Sequence, residues 1–80
     1  MIFTATVTIG LKDGMLDPEA SAIRDALRNL GFKTNAIRTA SVYSITLEAA
    51  DREEAADHVR QMCERLLANP VIHRYTVEVA

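Results

Sequence analysis

The feature that most limits the fold is a run of alternating residues too long for the chain that carries it. Between residues 34 and 48, Ile37, Thr39, Ser41, Tyr43, Ile45 and Leu47 fall on one face of an extended strand. Arg38, Ala40, Val42, Ser44, Thr46 and Glu48 fall on the other. An unbroken strand over this run would be roughly 50 Å long at about 3.3 Å per residue. A compact domain of this size has a radius of gyration near roughly 12 Å and a diameter of about 30 Å. Thr39-Ala40-Ser41 offers no Gly, Asn or Pro for a tight hairpin. The run must bend, open into a loose hairpin, or project beyond its own domain. A projecting strand presents unpaired backbone groups and invites pairing with another chain.

The rest of the pattern places elements around that run. Residues 2–11 alternate: Phe3, Ala5, Val7, Ile9 and Leu11 on one face, Thr4, Thr6 and Thr8 on the other, the period of a half-buried strand. Lys12-Asp13-Gly14 is a turn signal. Asp17-Pro18-Glu19 starts a helix: a side-chain cap, a proline at the first helical position and an acid at the positive end of the dipole. Ile23, Ala26, Leu27 and Leu30 make its apolar stripe, and Gly31 stands where a left-handed cap is needed. Asp51 and Glu54 frame a second helix with Ala55, Ala56, Val59, Met62, Cys63, Leu66 and Leu67 on its buried face. Asn69 is expected in a left-handed cap, Pro70 stops the helix, and a last strand is expected from Val71 to Val79. On it His73 shares a face with Val71, Tyr75, Val77 and Val79.

The expected fold is a single α+β domain over residues 1–80. It is a small two-layer sandwich with an antiparallel sheet and two helices on one face, in the order β-α-β(β)-α-β of the ferredoxin-like plan, with residues 34–48 as a long strand or loose hairpin. Its 80 residues are 49% hydrophobic with no Trp, so the core rests on aliphatic residues and is small. Small cores need a staple. A single cysteine, Cys63, excludes an internal disulfide, and the histidines lack metal-ligand spacing. Oligomerisation remains, so a homodimer or homotetramer is expected.

A net charge of −2 with scattered basic residues gives no stripe for nucleic acid. No stretch is apolar enough to cross a membrane, and with a lone thiol and no export signal the expected compartment is the cytoplasm.

Few residues of the chain are placed for chemistry. Cys63 lies on or beside an apolar helical stripe, where cysteines are structural and inert. His73 lies on an apolar strand face and reads as a core or interface residue, and His58 as solvated. Asp13 and Asp17 are explained by a turn and a cap rather than by a calcium loop. Gly10, Gly14 and Gly31 form no nucleotide-binding fingerprint. No catalytic, cofactor-binding or metal-binding residue is assigned. Arg38, Tyr43, Asp57, His58, Gln61, Glu64 and His73 are the candidate interface residues.

Two segments resemble the PurS family, the small subunit of the multi-chain phosphoribosylformylglycinamidine synthase. Leu11-Lys12-Asp13-Gly14-Met15-Leu16-Asp17-Pro18 is similar to that family's L-K-x-G-V-L-D-P entry to helix one. Cys63-Glu64-Arg65-Leu66-Leu67-Ala68-Asn69-Pro70-Val71-Ile72 is similar to its C-x-x-L-L-A-N-P-V-I join. The chain departs from the family at Ala20, often Gly; at Arg38-Thr39-Ala40-Ser41, in place of R-x-G-K; and at His73, commonly Glu.

The resemblance implies a subunit that dimerises, bridges a glutaminase subunit and a large synthetase subunit, and supports ammonia transfer between them. ATP and Mg would be held by the large subunit, and no cofactor by this chain. Two other readings compete. One is a ferredoxin-like regulatory module that binds a small molecule at Lys12-Asp13-Gly14-Met15. The other is a free-standing enzyme using Cys63 or His73.

Overall fold

A computed structural model describes residues 1–80. The elements are β1 (Ile2–Leu11), α1 (Pro18–Asn29), β2 (Ala40–Glu48), α2 (Arg52–Met62), a π-helical turn (Cys63–Leu67) and β3 (His73–Val79). The three strands form one sheet in the order β2-β1-β3, with both pairings antiparallel. The α+β class and the element order agree with the sequence reading. Relative to the β-α-β-β-α-β plan, one edge strand is absent.

The register assigns the faces. Val7 lies opposite Tyr43 on one side and Val77 on the other, so Ala5, Val7, Ile9, Ile45, Leu47, Tyr75 and Val77 look toward α2. Thr8, paired with Val42 and Thr76, looks away from it. The core is one cluster of Ala5, Val7, Ile9, Val59, Cys63 and Ala68. The small side chains of Ala55, Val59 and Cys63, spaced four apart along the helical ridge, let α2 approach the sheet closely.

Helix α1 behaves differently. Its start follows the sequence: the Asp17 carboxylate accepts the Ala20 N–H at 2.9 Å with Pro18 behind it. Its end is a Schellman cap, with the Phe32 N–H donating to Leu27 O and the Gly31 N–H to Arg28 O, Gly31 at φ 98°. Yet within one chain α1 is not packed on the sheet, and α2 alone covers it. Residues 32–39 carry no strand pairing. They run back along α1, where Arg28 and Arg24 donate to the carbonyls of Thr34 and Asn35. Asp17 closes this arm at its base by also accepting from the N–H and hydroxyl of Thr39. The alternating run is thus neither one strand nor a hairpin: only Ala40–Glu48 pairs. Projection is the outcome that holds, and the molecule measures 52 × 24 × 15 Å with a radius of gyration of 16.2 Å.

Three local expectations are corrected at the α2–β3 join. Asn69 is not left-handed, since the only positive-φ residues are Gly14 and Gly31. Its side-chain oxygen instead accepts the Val71 N–H, and its carbonyl accepts from Ile72 and His73. That turn occupies residues 70–72, so β3 begins at His73 rather than Val71. The π turn, closed by Ala68 N–H to Cys63 O at 2.8 Å, also re-aims side chains. It turns Ala68 inward and Leu66 out to 84% exposure, against the buried position expected for Leu66.

Candidate functional site

Two clefts lie on opposite faces of the same end of the sheet, where the arm leaves it. The cleft on the α2 side is lined by Ile9, Leu11, Pro18, Tyr43, Leu67 and His73, among others. It occupies the part of the sheet face that α2 does not cover, and Tyr43 stays 40% exposed there. His73 is held by its own turn: its Nδ1 accepts the Asn69 N–H at 2.8 Å. That role needs a free lone pair on Nδ1. The cleft therefore joins two of the candidate interface residues, Tyr43 and His73, that lie thirty positions apart.

The cleft on the opposite face is built around the turn after β1. The Met15 N–H to Lys12 O bond and Gly14 at φ 83° make a tight turn that sets Asp13 at its tip. One oxygen of Asp13 accepts from Arg38 at 2.9 Å and from Arg74 at 3.0 Å. Hydrogen bonding and charge from Arg38, then the charge of Arg74, hold the Asp13 carboxyl below its ordinary range. Lys12 reaches over the join to the Pro70 carbonyl. Arg38 thus sits apart from Tyr43 and His73, on the other face of the sheet. No local pattern marks Asp13, Lys12 and Arg74 as a cluster, because the register that sets Gly10 opposite Arg74 is not written in neighbouring residues.

The remaining candidates lie on the solvent side of α2 and the π turn. Gln61 donates to Asp57 at 2.9 Å, His58 stands 4.0 Å from Glu54, and Glu64 accepts the Tyr75 hydroxyl at 3.2 Å. Burial, and after it the Glu64 carboxylate, push the Tyr75 phenol above its ordinary value. Cys63 is fully buried under α2, and burial pushes its thiol up as well. A thiol in that state is a poor nucleophile. No group of three or more His, Cys, Asp or Glu is placed to hold a metal ion, and no helix is long and apolar enough to cross a membrane.

A third surface is apolar. Along the arm, Leu16, Ile23, Leu30 and Phe32 are exposed, Leu30 to 74% and Phe32 to 61%. Isolated exposed apolar residues are ordinary, but here Ile23 and Leu30 of the α1 stripe are exposed together with Leu16 and Phe32 beside them, and α1 does not pack on the sheet.

Taken together, these features define a small antiparallel α+β module with a projecting arm and with clefts rather than a buried catalytic cavity. The family model described as "PurS: Phosphoribosylformylglycinamidine (FGAM) synthase" matches residues 4–80. The chain belongs to the PurS family. It is 50% identical over 74 residues to a phosphoribosylformylglycinamidine synthase subunit PurS of Archaeoglobus fulgidus, covering 91% of this chain and 92% of that one. The crystal structure of PurS from Methanocaldococcus jannaschii superposes with a TM-score of 0.86 at 40% identity, covering 98% of this chain and 95% of that one. A chain in the structure of PurLQS from Thermotoga maritima superposes at 0.90 with 27% identity, covering 100% and 99%.

Proposed function

We propose that this chain is the small, non-catalytic subunit of phosphoribosylformylglycinamidine synthase in de novo purine biosynthesis, working in the cytoplasm as a homodimer or homotetramer. In the assembly it bridges the glutaminase subunit and the large synthetase subunit. The complex converts formylglycinamide ribonucleotide, glutamine, ATP and water to formylglycinamidine ribonucleotide, glutamate, ADP and phosphate. ATP and Mg belong to the large subunit.

The observation that carries this reading is the exposed apolar surface of the arm, on a chain whose relatives are subunits of that synthase. A module with this much uncovered apolar surface is incomplete alone. The role also has a chemical rationale. Ammonia released into bulk water is protonated and loses its nucleophilic lone pair. A contact layer that excludes water between two active sites keeps the nitrogen reactive.

The test uses purified large and glutaminase subunits with and without this chain. Glutamine-dependent turnover is expected to require it, while turnover driven by added ammonia is not. Equal glutamine-dependent rates in its absence would refute the role.

A further inference from the structure

The Arg38–Asp13–Arg74 cluster has more hydrogen-bonding capacity than its own structure uses. One carboxylate oxygen satisfies a single N–H from each arginine. A guanidinium carries five donors, and the two side chains remain 74% and 55% exposed. They stand at the mouth of a cleft of about 370 Å³ on the sheet face away from α2. Its floor is Gly10, flanked by the hydroxyl-bearing Thr8 and Thr76, which pair across β1 and β3. Lys12, Arg38 and Arg74 face two carboxylates there, and one of these, Asp17, already accepts from Ala20 and Thr39. A pocket with surplus positive charge on a chain of net charge −2 is a local departure from the overall balance.

We propose that this cleft binds a phosphomonoester, with Asp13 acting as an internal counter-ion that the ligand displaces. Two guanidinium forks and two hydroxyls offer more donors than the two oxygens of a carboxylate can accept. A phosphate dianion with three terminal oxygens matches them, and paired arginines favour bidentate contact with it. Asp13 is well suited to the exchange. It sits at the tip of an exposed turn, and its second oxygen has no partner among the hydrogen bonds of the chain. In the free chain it keeps the two arginines from repelling one another and splaying apart. The pocket is of a size that holds a small metabolite, and a Cβ placed on Gly10 would meet nothing nearer than 4.0 Å, so the floor is open. The proposal does not depend on the assembly role, because the cleft lies on the face opposite Tyr43 and His73.

The experiment titrates the full-length protein with ribose 5-phosphate at fixed ionic strength and follows backbone amide shifts by NMR, with inorganic phosphate and acetate as comparison probes. Saturable shifts clustered at Gly10, Gly14, Arg38, Thr39 and Arg74 are expected. Arg38→Gln and Arg74→Gln should each weaken binding by about tenfold, the loss of one charge-assisted contact. Asp13→Asn should tighten it several-fold, the opposite sign from a merely structural residue. Arg65→Gln, outside the cleft, should leave it unchanged. Thr76→Val, which keeps the strand, gives an independent weakening should the Asp13 variant fail to fold. Shifts that never saturate, acetate binding as tightly as the phosphates, or an Arg65 variant weakened as much as the cleft variants would overturn the proposal.

Discussion

Asp17 does more than its position in the sequence implies. One of its oxygens caps α1 through the Ala20 N–H, and the other accepts both the N–H and the hydroxyl of Thr39. The cap was legible, because an acid before a proline is a local signal. The tie to Thr39, 22 positions away, was not, because no periodic pattern links those residues. The Ala20 amide first, then the Thr39 hydroxyl, lower the Asp17 carboxyl below its ordinary value of 3.8. A carboxyl lowered by folding contributes stability above its unfolded value, and that contribution is lost as pH falls through the folded value. The wild type is therefore expected to unfold at lower urea below about pH 4, and Asp17→Asn should lose part of that pH dependence while unfolding at lower urea than the wild type at pH 7. An unchanged pH dependence would mean that the carboxylate is not what closes the arm.

At the scale of elements, the two helices carry similar signals and meet different fates. Both begin with an aspartate cap and both have an apolar stripe. Only α2 buries its stripe on the sheet of its own chain, through Ala55, Val59 and Cys63. Amphipathic spacing says that a face needs covering and does not say which surface will cover it. The π turn adds a second illegible step. A continuous α-helix would keep Leu66 with Val59 and Met62 along one side, whereas the i−5 bond from Ala68 to Cys63 advances the chain by an extra residue and turns Leu66 to solvent. The contrast can be measured. Val59→Ala, at a fully buried site, should cost about 2 kcal/mol in denaturant unfolding from lost methyl burial and a residual cavity. Leu66→Ser should stay within about 0.5 kcal/mol of wild type. Equal losses at the two positions would place Leu66 back in the core.

The whole molecule has the shape of a part rather than of a finished body. Its radius of gyration of 16.2 Å exceeds the roughly 12 Å of a compact chain of this length, and the excess is the arm. That excess was anticipated by the overlong alternating run, although the projecting element is helix plus return segment instead of a strand. An arm with Ile23, Leu30 and Phe32 in water gains by docking on a second copy, since full burial of each such side chain contributes about 1.5–3 kcal/mol. The uncovered cleft beneath Tyr43 and His73, lined in part by Ile9, Leu11 and Leu67, leaves open a stretch of sheet face of the kind a helix covers. Light scattering on the isolated protein should therefore give at least twice the monomer mass. Ile23→Asp combined with Phe32→Asp changes residues that are exposed within one chain, so each subunit should keep its helical circular dichroism. The same pair of charges in a docked apolar contact would be desolvated without partners, so the variant should run as a monomer. A wild-type monomer at micromolar concentration, or a variant that keeps the larger mass, would show that assembly does not use the arm.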